Sequence, residues 1–521
     1  MNKNKYLVLF SGVVVATLLL AGCATVEQPL RENLLTQKTA VRQCAEAFRA
    51  LDAAVDHAGV RDAEAHRIAG FPYLRIDRYH AQLRDVAGRD AQAHELWVSR
   101  LQALDREARR AEINNLREAD IRALESGERA ALLDNTAQCA DTLRAHDQAQ
   151  DLTSPQRLAL LHARAQVPDR YVTWQRVAGL YRFTRVPFSM GIARWERETM
   201  QDFREVAQGR APAQPLMRYA LPNVPNVPTM TRERIAAMIR RASDNPLRVP
   251  VFSDEERATL VRAFAPVFEI ETGAAYDRIG RLHWPAAGVL AVDHAEPVVY
   301  YRVVFARHRD FGDQPLTQIV YTVWFAERPR NHALDLLAGH LDGVMFRVTL
   351  SPDGEPLLYD SIHPCGCYHL FFPTARVQPV PAPDGEVEWA FVPATLPVHS
   401  AGARVAVRMA TRTHYLVKVA LDAFDGPGAA ESYTLLPEGD LRSLPRGSES
   451  SSESSSERRS AYDPDGMIRG TERGERVFFW PMGIPSAGAM RQWGHHATAF
   501  VGRRHFDDAD LIDKRFRIIA P

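Results

Sequence analysis

The sequence predicts an α+β protein with an N-terminal helical region followed by a β-rich, mainly antiparallel C-terminal domain. Two observations carry that expectation. Residues 34–210 are rich in Ala, Leu and Arg, with apolar residues three and four apart, the period of an amphipathic helix. Residues 265–521 instead alternate β-branched and aromatic runs with turn sequences, the pattern of strands joined in hairpins. Between them, residues 211–264 read as a proline-rich connection and two helices. The chain has 521 residues, 46% of them hydrophobic, so two to four domains with ample cores are expected. With 64 basic and 64 acidic residues, it lacks the electrostatic footprint of a protein whose partner is nucleic acid.

At the N-terminus Lys3 and Lys5 precede an apolar run from Tyr6 to Leu20, which ends in Ala21 and Gly22 before Cys23. A charged start, a short apolar core and small residues at the end form a signal peptide over residues 1–22. Leu20-Ala21-Gly22-Cys23 resembles the lipobox of bacterial lipoproteins. That resemblance covers only the first two dozen residues and implies cleavage before Cys23, acylation of its thiol and new amino group, and anchoring in a membrane by several acyl chains. Ala24 rather than Asp after the cysteine implies the outer membrane, with the protein facing the periplasm. Residues 23–33 are then a lipidated tether, and no later apolar stretch approaches the ~20 residues needed to cross a bilayer.

Within the helical region, Val41, Ala45, Phe48 and Leu51 mark one apolar stripe, and Leu96, Val98, Leu101, Leu104 and Ile113 another. The Glu/Arg-rich stretch from Arg100 to Arg122 fits one long helix with a solvated charged face. Ser154-Pro155 has the form of an N-cap followed by proline at the first helical position. Cys44 and Cys139 fall on separate expected helices and, in an oxidising compartment, are expected to pair, two buried thiols being the alternative.

Pro212, Pro215, Pro222, Pro225 and Pro228 exclude a regular helix or central strand and read as a surface connection. Helices are expected after Thr231 and after Ser253, where Ser253 and Glu256 have capping-box spacing. Val298–Ala306 and Leu316–Phe325 flank the turn-forming Asp310-Phe311-Gly312-Asp313 and form a hairpin. Val344–Leu350 and Leu357–Tyr359 form a second around Ser351-Pro352-Asp353-Gly354, a type I turn sequence. Val405–Met409, Tyr415–Leu421, Val477–Trp480 and Ala497–Val501 supply further strands, enough for one antiparallel sheet or a sandwich. The serine- and glutamate-dominated run 447–460 cannot bury apolar surface and is expected to be a disordered loop.

Chemistry concentrates in His363-Pro364-Cys365-Gly366-Cys367-Tyr368-His369, four potential soft or borderline ligands within seven residues. Pro364 and Gly366 favour a turn, which could bring Cys365 and Cys367 to one zinc or copper ion, with His363 or His369 as a further ligand and His495 or His496 as an outside donor. Asp360 could orient an imidazole. The competing reading is a strained Cys365–Cys367 disulfide, structural or redox-active. Templates for common hydrolases, proteases, kinases and dehydrogenases are absent from the sequence. Three functions stay open: a structural or interaction lipoprotein, a metal-binding protein or metalloenzyme, and a thiol–disulfide redox protein.

Overall fold

A computed structural model describes residues 39–519, apart from 125–126, 152–155, 223–229, 287, 398–403, 423–429 and 448–456. The signal peptide, Cys23, the tether, the Ser154-Pro155 cap and most of the Ser/Glu run therefore lie outside the described residues. The chain is α+β, with helices dominating its N-terminal part and mainly antiparallel sheets its C-terminal part. Its described residues divide into two compact units, one drawn from Met1–Arg61, Ala65–Ala81 and Val98–Val167, the other from Asp62–Glu64, Gln82–Trp97 and Pro168–Pro521.

In the first unit the principal helices are α1 (Thr39–Ala58), α2 (Ala91–Asn115, from Val98 onward), α3 (Arg129–Asp151) and α4 (Gln156–Arg164). Leu51, Val55, Ile113, Leu116, Ile121 and Leu132 form an apolar core. Cys44 on α1 and Cys139 on α3 are joined as a disulfide, with Cα atoms 5.0 Å apart. Two expectations are corrected here. The helical region contains a β-hairpin, β1 (His66–Ile68) with β2 (Phe71–Ile76), turning at Gly70, whose φ of +86° suits glycine. And the long helix ends at Asn115 and, besides a solvated face where Arg106, Glu107 and Arg110 are exposed, has a second charged face that is buried.

That face meets Arg75 of β2, which is 0% exposed and pairs with Asp105 at 3.1 Å and Glu112 at 2.7 Å. Arg109 adds contacts to Asp52 at 2.6 Å and to Asp105 and Glu112 at 3.3 Å each. Burial pushes the Glu112 carboxyl up, but Arg75, Arg109 and Arg67 outweigh it and hold its pKa at about 2. The periodic charges of α2 thus build a buried ion network, because β2 brings an arginine to them.

The second unit opens with α5 (Thr173–Ala178) and α6 (Tyr181–Ala207), so the sequence-defined helical region is shared between the units. Next come β3 (Leu216–Ala220), α7 (Arg232–Ala242) and α8 (Asp254–Ala263). Thr231 caps α7 and Ser253 with Glu256 closes a full capping box on α8. The prolines do admit a strand after all: β3 fits between Pro215 and Pro222 and pairs with β4 (Val267–Glu271). A small pair, β5 (Arg281–His283) and β6 (Ala291–Asp293), leads into β7 (Val298–Ala306), β8 (Leu316–Arg328), β9 (Gly339–Leu350), β10 (Pro356–Ile362) and β11 (Leu370–Pro373). β12 (Val377–Pro379), β13 (Arg404–Met409), β14 (Leu416–Asp422), β15 (Glu431–Ser432) and β16 (Thr434–Pro437) follow.

One sheet has the order β11-β10-β9-β8-β7-β16 and a second the order β14-β13-β4-β3-β15. Only the β16–β7, β13–β4 and β15–β3 pairings are parallel in these sheets. Alternation places Ile319, Tyr321, Val323 and Phe325 of β8 in one core with Phe268 of β4, Val407 of β13 and Ile239 of α7. Val320 and Trp324 face the other way, into clusters with Trp493 and Phe506 and with Met490 and Ile468. β8 is therefore buried on both faces, which matches its unbroken apolar run. Residues 477–480, expected as a strand, form the helical turn Arg476–Phe479 and enter a 3-10 turn, Trp480–Met482. Residues 497–501 make no strand, only a bridge from Ala497 to His505.

Candidate functional site

β10 and β11 are antiparallel, with Ser361 opposite Leu370, so the chain must reverse within the intervening segment. His363 N–H donates to Cys367 O at 3.0 Å, and Gly366 N–H donates to His363 O at 2.7 Å. Gly366 has φ +92°, and a Cβ there would sit 2.4 Å from Ala497 O, so the turn needs glycine twice over. The expected turn is present, and it packs on the segment that carries His495 and His496: Arg491 N–H donates to Pro364 O at 2.9 Å.

The side chains, however, go elsewhere. His363 Nδ1 lies 3.3 Å from Asp342 on β9, and His369 Nε2 lies 2.9 Å from Asp360 on β10. Cys365 packs among Leu341, Trp324, Ile468 and Met490, behaving as a small apolar residue. His495 Nε2 lies 2.8 Å from Ala63 O, and His496 is buried beside the backbone of Arg491 and Pro364. Among the described residues no three His, Cys, Asp or Glu side chains are placed to hold a metal ion. The residues expected to form a metal site, His363, Cys365, Cys367, His369, His495 and His496, are thus not gathered into one ligand set in this structure. They share a neighbourhood of backbone, while one ring nitrogen each of His363, His369 and His495 is taken by a separate partner and Cys365 lies in an apolar cluster. Cys365 and Cys367 are both free thiols. A hydrogen bond from Cys365, then burial, pushes the Cys367 thiol well up, keeping it in its less nucleophilic form.

Asp360 does orient an imidazole, that of His369 rather than His363. Its carboxylate is held on the other side by Arg347, with Nε at 2.8 Å and Nη2 at 2.5 Å. Burial pushes Asp360 up, but Arg347 and His369 outweigh it and keep it ionised. Nε2 of His369 must then carry the proton that it donates to Asp360, leaving Nδ1 a bare acceptor, and Nδ1 has no hydrogen-bond partner. Burial lowers the His369 pKa to about 3, so the ring is neutral. A parallel arrangement places Asp342 between His363 and His414, whose Nδ1 is 2.7 Å away. Burial alone would depress His414, but Asp277 and Asp342 raise it above the ordinary histidine value.

His369, Cys367 and Tyr368 form part of the wall of a cavity of about 600 Å³. Aromatic residues build most of the rest. Trp195 on α6 contacts Tyr368 at 5.4 Å and Phe391 at 5.6 Å, Tyr368 contacts Tyr415 at 4.5 Å, and Phe479 contacts Phe188 at 4.9 Å and Phe500 at 4.7 Å, all between ring centroids. The polar residues of this wall are Cys367, Tyr368, His369 and Tyr415, with Trp195, whose Nε1 lacks a hydrogen-bond partner, Arg504, Glu196, Glu388 and Glu475. Arg504 spends its donors on Thr498 O at 2.7 Å and Oγ1 at 2.8 Å, Glu388 O at 2.9 Å and Trp389 O at 2.7 Å. Burial raises all three carboxyls, Glu388 and Glu475 to about 7. An apolar concavity with a few convergent polar groups and perturbed acids is the general form of a small-molecule site.

Comparison with protein-family models, characterised proteins and solved structures gives no match. The cavity therefore speaks through its own chemistry. Its aromatic wall escaped the sequence reading because Phe188, Trp195, Trp389, Phe391, Phe479 and Phe500 are dispersed over some three hundred positions. Aromatic density at 388–391 and 478–480 was the only local trace.

Proposed function

We propose that this is a lipid-anchored protein of the cell envelope, held to the outer membrane through Cys23 and facing the periplasm, whose C-terminal unit binds an apolar ligand bearing a hydrogen-bond-donating or cationic group. The address rests on the lipobox-like residues and on a chain in which no described helix is long and apolar enough to cross a membrane. The binding function rests on one observation, the aromatic cavity of about 600 Å³, a volume within the range of small-molecule pockets.

The ligand class follows from the polar groups. Three glutamates share the lining with one guanidinium, four of whose five N–H groups already bond the protein. An anionic head group would lie beside three carboxyls with Trp195 Nε1 as an unspent donor, whereas a cation or donor would hold Glu388 or Glu475 ionised and give His369 Nδ1 a partner.

A neutral naphthylamine fluorophore titrated into the protein is expected to bind saturably at one site and to be displaced by apolar amines far better than by fatty acids of equal length. Ile192→Trp, which fills the cavity from α6, should weaken binding by at least about tenfold, the effect of losing a few buried methylenes' worth of contact. Absence of saturable binding to the wild type, or undiminished binding to a folded Ile192→Trp variant, would overturn the reading.

A further inference from the structure

α6 has two apolar faces. Phe188, Ile192 and Trp195 point to the cavity, while Phe183, Val186 and Met190 are 74%, 57% and 70% exposed. The outer positions recur every three or four residues, so they form one continuous stripe. It extends into α5 and the joint after it through Trp174, Val177 and Leu180, which are 66%, 71% and 63% exposed. The turn after Arg476 adds Val477 and Phe478. α5 is fastened to that turn: Val172 N–H donates to Gly483 O at 2.7 Å, and a Cβ on Gly179 would lie 2.5 Å from Pro481 Cβ. Phe478 and Pro187 also line the cavity, so the exposed patch reaches its rim. Singly exposed apolar residues are ordinary, but a contiguous patch of this kind marks an interaction surface.

Charge identifies what the surface fits. From Arg170 to Trp195 there are five arginines (Arg170, Arg176, Arg182, Arg185 and Arg194) and no acidic residue, in a chain whose acids and bases are equal in number over its whole length. Arg182 and Arg194 are exposed beside the stripe, Arg194 with an ion pair to Glu198 at 2.7 Å. The exposed tryptophans among the described residues, Trp174 and Trp480, both lie on this patch. Large aliphatic and aromatic side chains flanked by arginines, with tryptophan at the edge, are the composition of a helix that lies in a membrane interface. We propose that the outer face of α5 and α6, with the Val477–Phe478 turn, docks onto an anionic lipid bilayer, bringing the mouth of the cavity to the acyl boundary.

The test uses the chain from Ala24 onward, which keeps every described residue and leaves out the anchor. Mixed with phosphatidylcholine vesicles containing about a third phosphatidylglycerol, it is expected to partition at least about tenfold more strongly than with pure phosphatidylcholine, less so at high salt. Brominated acyl chains in those vesicles should quench its tryptophan emission, and Trp174→Tyr with Trp480→Tyr should remove most of that quenching. Phe183→Asp with Met190→Asp should reduce partitioning by at least about tenfold while the thermal midpoint and fluorophore binding in the cavity stay unchanged, since neither residue lines it. Three results would overturn the proposal: no binding to anionic vesicles, equal binding by the folded double-aspartate variant, or binding without tryptophan quenching. Concentration-dependent dimerisation through the stripe in place of vesicle binding would assign the face to a second copy of the chain instead. Failure of fluorophore binding with vesicle docking intact would remove the cavity reading and leave this one standing.

Discussion

Glu388 and Glu475 are held near pH 7 by burial, well above the ordinary 4.5. Glu388 Oε1 accepts a hydrogen bond from Val501 N–H at 2.6 Å, which favours ionisation but does not offset the loss of water. The folded pKa exceeds the unfolded one for both acids. Stability from their neutral forms is therefore complete below about pH 4.5 and lost as pH rises through about 7. Glu112 has the opposite sign: its contribution is present above about 4.5 and lost as pH falls toward about 2, outside this window. His414, with its raised pKa, loses stability in the same direction as the glutamates. The comparison must therefore be made between wild type and variant. Glu388→Gln with Glu475→Gln is expected to reduce the fall in unfolding free energy between pH 5 and pH 8 by about 1–2 kcal/mol per group, reduced by whatever water the cavity admits. An unchanged slope would show that these acids titrate normally. His363 and His369 look like ligands until Asp342 and Asp360, brought in by neighbouring strands, take up one nitrogen of each.

Elements were legible where the signal was local. The β7–β8 and β9–β10 hairpins follow from turn residues between β-branched runs, and the α8 cap from two residues three apart. They were illegible where tertiary burial decides. β2 lies in alanine-rich helical surroundings, yet Tyr73, Leu74 and Ile76 are buried as a strand. Phe478, Phe479 and Trp480 have strand propensity but no adjacent strand, and the flanking Gly474, Pro481 and Gly483 turn them into a helical corner. β3 needed only five of the six residues that lie between Pro215 and Pro222. The disulfide between α1 and α3 is testable at this scale. Replacing Cys44 and Cys139 together by Ala should cost about 2–5 kcal/mol in denaturant unfolding, since the bond closes a loop spanning 95 positions. Both residues appearing as free thiols in non-reducing peptide maps of the native protein would refute the pairing.

At the scale of the molecule, the α+β class and the order of helices before sheets were readable from periodicity alone, whereas the division into units was not. Periodicity places a boundary where the helical pattern ends, but α5 and α6 have the first unit's period and the second unit's contacts. The address belongs to this scale too. The intact chain is expected to incorporate labelled fatty acid and fractionate with outer membranes, and Cys23→Ala should abolish the label. Normal labelling of that variant would dismiss the anchor.

The disulfide also has a topological consequence. Between Cys44 and Cys139 the chain passes through Asp62–Glu64 and Gln82–Trp97, which belong to the second unit. There Asp62 pairs with Arg442 at 2.8 Å and Glu64 with Arg302 at 2.7 Å. When oxidised, the bond makes these stretches arcs of one covalent ring. If α1 and α3 came apart, neither arc could withdraw further than the ring's circumference allows. Reduction opens the ring, and the two stretches are then joined only along the backbone.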